Sequence, residues 1–311
     1  MPATLRQLRE RRKSVAATMK ITRAMELIAA SRVTRAQQRA RQAVPYNDEL
    51  VRAVSTLAAH ADTKHPLTTE PENPQRAAVL IIAADRGMAG AYNSNVIRLG
   101  EHLMETLHKE GKQVQLYTCG RKVNDYFAYR DVPIERAWEG FSFRPRYADA
   151  KEIGECLIDE FLRPTTDGQG VDELHLVFTR FRSLVSQRTQ IVRLLPLEVV
   201  SGGSDDFDED VDRSEMADVS EPGPQAEYFF EPNAEKVLDQ LLPLYVINRL
   251  RFALMEAAAS ELAARQQAMH SATDNAKKLI ETLTRDANQA RQAEITQQIN
   301  EIVGGAGALT G

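Results

Sequence analysis

Apolar residues recur at three- to four-residue steps, or at sums of such steps, along the first part of the chain, which is the spacing of one helix face. The residues on this face are Leu8, Val15, Met19, Met25, Ile28, Val33, Ala36, Ala40 and Val44. A helix of about forty residues is about 60 Å long, so we expect it to project or to pack against an equally long partner. Pro45 should kink or end this helix, although 46–61 again has helical spacing.

Strands and helices alternate in the middle of the chain. The run AAVLIIAA at 77–84 is continuously apolar, as in a buried parallel strand, and a glycine-containing loop follows it. Further strands are expected at 114–120, 133–137, 174–181, 189–197 and 227–232, with the pair 174–181 and 189–197 antiparallel. Helices are expected at 94–109, 121–129 and 148–162. This alternation predicts a Rossmann-like α/β domain with a mostly parallel sheet.

The last part of the chain has a helical pattern again. Pro243 should break or kink it early, and 244–303 then continues for about 90 Å without proline or glycine. Its apolar seam is close to heptad spacing and consists of Leu262, Met269, Ala272, Ala276, Leu279, Leu283, Ala287 and Ala290. The glycine-rich stretch from 304 predicts a flexible end. Two such seams flanking an α/β domain predict a long antiparallel coiled coil of the terminal helices.

The expected domain organisation follows from these patterns. An N-terminal helical segment should occupy 1–60, an α/β domain 75–232, and a C-terminal helix 233–311. Within the α/β domain, 204–221 holds nine acidic residues and one arginine, and we expect a solvated loop there.

Charge is unevenly distributed along the chain. Residues 1–44 carry 11 lysines and arginines against two glutamates, a net charge of +9, whereas the remaining residues hold 28 basic and 42 acidic side chains. Such a basic N-terminus could be an import presequence, a nucleic-acid or lipid-binding arm, or a helix in an acidic protein environment. The segment 1–44 contains no aromatic residue for base stacking, and the C-terminal seam needs it as a partner. These two observations favour the third interpretation.

The motifs that would indicate catalysis or metal binding are incomplete. Gly87 and Gly90 follow the first strand, but they match neither a Walker A loop nor a dinucleotide fingerprint, and a tight turn is the simpler interpretation. The six histidines never fall at metal-ligand spacing. Within the acidic segment, Val211 and Ala217 stand where a calcium loop needs glycine and glutamate. We therefore expect no catalytic residue, no metal and no cofactor. The alternative hypothesis is a nucleotide-binding enzyme built on the α/β domain.

Two observations bear on location. The longest apolar run, 77–84, is far shorter than the roughly 20 residues of a membrane-spanning helix. Cys119 and Cys156 are far apart in the sequence, which favours free thiols in a reducing compartment.

Six stretches of the sequence, in order, point to one family. They are KITRAMELIAASRVTRAQ at 20–37, AADRGMAGAYNSNV at 83–96, LLPL at 194–197, FEP at 230–232, MHSATDNAKKLIETLT at 269–284 and ARQAEITQQINEIVGGAGA at 290–308. Together they closely resemble the gamma subunit of F-type ATP synthase over essentially the whole chain.

This resemblance implies a central rotor stalk that is not itself catalytic. The paired terminal helices would stand inside the hexamer of alpha and beta subunits, and the α/β domain would rest, with the epsilon subunit, on the membrane ring of c subunits. Proton flow would turn the ring and the stalk. The asymmetric stalk would then bias the catalytic sites of the hexamer by contacting their conformations unequally. Because the chain begins directly with the helix, a bacterial protein on the cytoplasmic side of the cell membrane is favoured, with no nucleic-acid partner.

The resemblance also assigns contact residues on both terminal helices. Arg23 and Met25 fall where the stalk touches an acidic lever loop of the beta subunits. Arg291 and Gln292 fall where it meets an acidic catch loop. Arginines facing carboxylates form charge-assisted contacts that can be exchanged at every third of a turn, whereas a deep hydrophobic socket would trap the rotor.

The C-terminal tail and one loop complete the expected site. Thr296 and Glu301 lie in the matching tail, where Glu294 and Gln298 depart from the alanine and glutamate usual in the family. The polar loop within 163–173 is longer than the family resemblance leads us to expect. Its centre is a candidate regulatory loop on the α/β domain, near the rotor ring, and consists of Asp167, Gly168, Gln169 and Gly170.

Overall fold

The computed structural model describes residues 4–60, 65–164, 169–197 and 234–309. The helices are α1 (Leu5–His60), α2 (Tyr92–Lys109), α3 (Arg121–Tyr129), α4 (Tyr147–Leu162) and α5 (Ala234–Leu309). The strands are β1 (Arg76–Ile82), β2 (Gln113–Cys119), β3 (Arg136–Trp138), β4 (Glu173–Phe181) and β5 (Gln187–Leu195). This arrangement confirms the predicted α/β fold with long terminal helices. The strand expected at 227–232 and the acidic segment 204–221 lie outside the described residues.

The terminal helices run past the breaks predicted for them. Pro45 lies inside α1 and Pro243 lies inside α5, so neither proline ends its helix. A proline in a helix interior costs about 3 kcal/mol, and buried neighbours such as Leu50 and Leu242 supply packing energy that offsets this cost. The glycine-rich stretch up to residue 309 is also helical rather than ending at 303. Adding residues to an existing helix is far easier than nucleating one.

The described residues form two compact units. One unit contains α1 up to Ser31 and α5 from Arg265 onward, and the other contains Arg32–Ala264. Each unit therefore includes part of both terminal helices.

The sheet of the second unit has the strand order β3-β2-β1-β4-β5. β1 pairs in parallel with β2 on one side and with β4 on the other, and β2 pairs in parallel with β3. β5 is antiparallel to β4, as predicted. The central position of β1 explains its continuous apolar run, because both of its faces are covered.

Helices cover both faces of this sheet. Alternate residues of β1 point to opposite faces, so Val79 and Ile81 pack in a cluster with residues of α2 and α3. Leu80 and Ile82 belong to a larger cluster on the other face, with residues of α1, α4 and α5. The second unit is thus a three-layer α/β structure with two apolar cores.

The parts of α1 and α5 in the second unit lie side by side. Val33 and Ala36 of α1 pack with Leu262 and its neighbouring alanines of α5. Farther along α1, the Asn248 Nδ2 atom of α5 donates to the Asn47 Oδ1 atom at 2.8 Å. Because later residues of α1 meet earlier residues of α5, the pair is antiparallel, as predicted. Within the described ranges, no helix has the length and apolar character needed to cross a bilayer.

Candidate functional site on the terminal helices

A layer of polar side chains joins α1 to α5 in the first unit. The hydroxyl oxygens of Thr22 and Thr273 lie 2.9 Å apart, and the Nδ1 atom of His270 lies 3.0 Å from the Oε1 atom of Glu26. Thr22 and Glu26 are each only 9% exposed. Directional hydrogen bonds between two helices fix which turn of one faces which turn of the other, so this layer sets the antiparallel register of the first unit.

Glu26 is the centre of a small charged network. The Arg23 Nη1 atom lies 2.8 Å from the same Oε1 atom that accepts from His270. Burial by itself raises the pKa of Glu26, but the hydrogen bonds from Arg23 and His270 and their charges outweigh it and hold the pKa below its ordinary value. The carboxylate is therefore ionised at neutral pH. The second ring nitrogen of His270, Nε2, lies 3.5 Å from the Asp274 Oδ2 atom.

The two predicted contact residues on α1 are accessible to different degrees. The side chain of Arg23 is 55% exposed although it pairs with Glu26, and Met25 is half-buried. Three neighbouring apolar side chains face solvent, with exposed fractions of 60% for Ile21, 58% for Leu27 and 51% for Ile28. Arg23 therefore lies beside an exposed apolar surface, which is unusual for a helix whose opposite face is already packed.

The predicted seam of α1 is wrong in this region. Of the predicted seam residues here, Ile28 is 51% exposed and Met25 is only half-buried, whereas the buried positions near them are Thr22, Glu26 and Ala29. Thr22, Ala29 and Ala36 are spaced by seven residues and are all buried, so they lie on one face of α1. The heptad pattern of buried positions therefore includes a threonine. A search restricted to apolar residues misses Thr22 and Glu26, whereas strict heptad spacing would have found both.

The predicted contact residues on α5 lie on a stretch that is exposed on all sides. Every residue from Arg291 to Ile302 is exposed, and this range includes Gln292, Thr296 and Glu301. The Gln297 Nε2 atom donates to the Glu301 Oε1 atom at 3.0 Å, within the same helix. Three isoleucines share the stretch, and their exposed fractions are 44% for Ile295, 54% for Ile299 and 71% for Ile302.

The two groups of predicted contact residues are not brought together. Arg23 shares Glu26 with His270, so it lies level with that part of α5. Arg291 lies 21 residues farther along α5 than His270, which corresponds to about 30 Å of helix. The first unit therefore has two separate candidate contact regions, one around Arg23 and one on the tail of α5.

Only part of the candidate regulatory loop lies within the described residues, because Asp167 and Gly168 fall outside them. Gln169 is exposed, whereas Gly170 is buried with a φ of +76°. The Gly170 N–H donates to Glu160 at 3.3 Å, and its carbonyl accepts from the Arg76 Nε atom at 2.9 Å. The C-terminal end of the loop is thus fixed to α4 and to the beginning of β1.

The loop after β1 is organised around a carboxylate rather than around a phosphate site. One oxygen of Asp85 accepts from the Arg121 N–H at 3.1 Å, and the other accepts from the Ser142 N–H at 2.9 Å. A negative charge therefore occupies the N-terminus of α3, which is where a phosphate would otherwise be held. The tight turn expected here has positive φ at Met88 and Gly90, rather than at Gly87. No group of metal-binding side chains occurs among the residues that the structure describes.

Sequence comparisons match this chain to known proteins along almost its whole length. Residues 4–309 match the family described as ATP synthase. The ATP synthase gamma chain of Cutibacterium acnes is 54% identical over 316 residues, covering 99% of this chain and 98% of the relative. The ATP synthase gamma chain of a Nocardioides species is 54% identical over 309 residues, covering 99% of this chain and 97% of the relative.

The fold also resembles that of a solved structure. A chain in the cryo-EM structure of the Euglena gracilis mitochondrial ATP synthase rotor, in rotational state 1, superimposes with a TM-score of 0.61. The two chains are 18% identical, and the match covers 94% of this chain and 98% of the other. At this identity the likeness establishes the shared fold.

Proposed function

This chain belongs to the ATP synthase gamma chain family, and on that premise we propose that it is the central rotor stalk of an F-type ATP synthase. In this role it catalyses no reaction itself. It couples rotation of a membrane c-ring, driven by proton flow, to ATP synthesis in a hexamer of alpha and beta subunits.

The observation that carries the proposal is the exposed stretch of α5 from Arg291 to Ile302. A single helix in water gains little stability from its own hydrogen bonds and normally buries an apolar face against a neighbour. This stretch exposes Ile295, Ile299 and Ile302 instead. A surrounding protein sleeve, such as the central opening of a hexamer, would cover these side chains and still leave the helix free to rotate.

The two contact regions suit acidic partner loops. We assign Arg23 and Met25 to the lever loop of the beta subunits, and Arg291 and Gln292 to the catch loop. The Arg23 guanidinium has five N–H donors, of which the contact with Glu26 engages one, so it can bind a second carboxylate without losing the first. Thr296 and Glu301 would extend the contact of α5 within the hexamer.

The remaining partners are assigned through the family. The epsilon subunit and the c-ring would contact the α/β domain, and the terminal helices would form the shaft. The expected division into 1–60, 75–232 and 233–311 follows the same assignment. The chain would be a peripheral protein of the cell membrane, on its cytoplasmic side, and would reach the membrane only through the complex.

Co-expression with the cognate alpha and beta subunits tests this function. The intact chain is compared with one truncated after Leu283, which lacks the exposed stretch. We expect the intact chain to elute with the hexamer on size exclusion and to determine its rate of ATP turnover, and the truncation to alter that turnover. An intact chain that elutes alone and binds ATP by itself would instead support the nucleotide-binding enzyme.

The loop Asp167–Gly170 receives a separate role in this proposal. We assign it to the part of the α/β domain near the rotor ring, where it tunes coupling or restrains wasteful ATP hydrolysis. Its last residue, Gly170, accepts a hydrogen bond from Arg76 at the beginning of β1, which supports a place on the α/β domain. Deletion of the four residues should change proton pumping or latent hydrolysis in the assembled complex. Unchanged values of both would refute this assignment.

A further inference from the structure

In the second unit, α5 is buried on every side where it passes the sheet. All eleven residues from Ala253 to Ala263 are buried. Five of the eleven are alanine and one is serine, so neighbouring elements can approach the helix backbone closely. A helix buried in this way is held by its surroundings on all sides, and not along one seam.

Two polar side chains tie this buried segment to the C-terminal end of β4. The Ser260 hydroxyl donates to the Thr179 carbonyl at 3.0 Å, and the Phe181 N–H donates to the Glu256 Oε2 atom at 2.8 Å. Ser260 and Glu256 are four residues apart and therefore lie on the same face of α5. Both bonds are shielded from water, since Ser260 is fully buried and Glu256 is 9% exposed.

A third bond ties the same segment to α2. The Tyr92 hydroxyl donates to the Ala257 carbonyl at 3.1 Å. Tyr92 is the first residue of α2, just beyond the loop that follows β1, and it packs in a small cluster with Ala84 and Ala89, against which Ala264 of α5 also packs. This bond reaches α5 from a different element than the two bonds of β4.

Ligands of Rossmann-like folds bind at the C-terminal ends of the strands, where the strand order reverses. In this sheet the order reverses between β1 and β4. The α5–sheet junction, which we define as Tyr92, Thr179, Phe181, Glu256, Ala257 and Ser260, places a helix at this point. The position that serves as a ligand crevice in other α/β domains is therefore used here to hold α5.

We propose that the α5–sheet junction is the joint through which torque passes between the α/β domain and the helix. This proposal rests on the rotor function proposed above. Apolar burial is non-directional and does not by itself select one rotational setting of the helix, whereas hydrogen bonds weaken steeply when their angles change. Three buried hydrogen bonds from two elements hold α5 at one rotational setting. Tyr92, Glu256 and Ser260 thus act as positioning residues, without contacting another subunit.

The test compares ATP hydrolysis with ATP-driven proton pumping in inverted membrane vesicles that contain the whole complex. The variants are Tyr92→Phe, Glu256→Ala, Ser260→Ala and the combination of all three. Each single change removes one hydrogen bond between α5 and its neighbours. The loss should shift the equilibrium between α5 at this rotational setting and α5 rotated away from it by roughly five-fold. We expect hydrolysis to continue while the number of protons pumped per ATP falls, most strongly in the triple variant.

Two controls separate positioning from simple loss of stability. Glu256→Gln keeps an oxygen that can accept from the Phe181 N–H, so it should retain the pumping ratio that Glu256→Ala loses. Val123→Ala removes buried volume from the apolar cluster around α2 and α3 and should lower thermal stability without changing the ratio. A fall in the ratio for Val123→Ala equal to that for Ser260→Ala would overturn the proposal.

The outcomes also distinguish this proposal from the proposed function. Vesicles that pump equally well without this chain would refute the rotor function. Vesicles that need the chain, but whose triple variant keeps the wild-type pumping ratio, would refute only the junction. If the triple variant does not assemble, the single variants decide: lowered ratios support the junction, and wild-type ratios in all three overturn it.

Discussion

The Glu256→Gln substitution should remove a pH dependence of stability that arises at one buried carboxyl group. Burial raises the pKa of Glu256 to about 7, and the Phe181 N–H and the charge of Arg180 only partly counteract this effect. Below pH 4.5 the group is protonated in both the folded and the unfolded chain. Between pH 4.5 and pH 7 the unfolded chain releases the proton while the folded chain retains it, so unfolding becomes more favourable as the pH rises.

The magnitude follows from the two pKa values. The folded value of about 7 and the ordinary value of 4.5 differ by about 2.5, which corresponds to about 3 kcal/mol. The wild-type free energy of unfolding should therefore lose about 3 kcal/mol from this group between pH 4.5 and pH 8. Glutamine does not titrate, so the stability of the variant relative to wild type should rise by the same amount over this range.

The single tryptophan of the chain provides the assay. Trp138 is buried in β3, in the same unit as Glu256, so its fluorescence reports unfolding of that unit. Urea titrations at several pH values give the free energy of unfolding for wild type, Glu256→Gln and Ser260→Ala. Ser260→Ala should shift the wild-type curve by a constant amount, because no titrating group is changed. Parallel curves for wild type and Glu256→Gln would refute the reasoning.

Four further substitutions test three separate parts of the structure. Gly120→Ala should lower the free energy of unfolding by about 3 kcal/mol or more, because a Cβ atom there would lie 2.3 Å from a backbone oxygen. Gly140→Ala, also at positive φ but in open space, should lower it by about 1 kcal/mol. Chemical denaturation of the two variants measures both values. Ile299→Ser should change the free energy of unfolding of the isolated chain by less than about 0.5 kcal/mol. It should nevertheless weaken co-elution with the alpha/beta hexamer. Unchanged co-elution would contradict the proposal that the hexamer covers this stretch of α5. Arg23→Ala removes a donor from Glu26, so NMR titrations should show a higher pKa for the Glu26 carboxyl group. The variant should be less stable than wild type at neutral pH, and this difference should diminish as the pH falls and the carboxyl group protonates.

The sequence by itself determined the five strands that the structure describes, most helix boundaries and the antiparallel pairing of the terminal helices, although β3 begins three residues later than expected. These features depend on local periodicity and on chain order, which are both present in one dimension. The run at 77–84 predicted a strand buried on both faces, and β1 is such a strand. The six family motifs predicted the family, which the comparisons confirm. The assigned contact residues Arg23, Met25, Arg291, Gln292, Thr296 and Glu301 stay predictions.

The predicted seam of α5 is largely confirmed, because five of its eight residues are buried: Leu262, Met269, Ala276, Leu283 and Ala287. Only the tertiary structure decided which polar side chains the terminal helices bury. Glu26 is buried because Arg23 and His270 compensate the cost of removing its charge from water, and His270 is far away in the sequence. Ile299 is exposed although it is apolar, whereas Ser260 is fully buried because a carbonyl of β4 accepts its hydroxyl. Periodicity locates a seam only where a helix has one packed face. Along α5, residues 253–263 are buried on all sides, whereas residues 291–302 are exposed on all sides. This change depends on neighbouring elements that the local sequence does not specify.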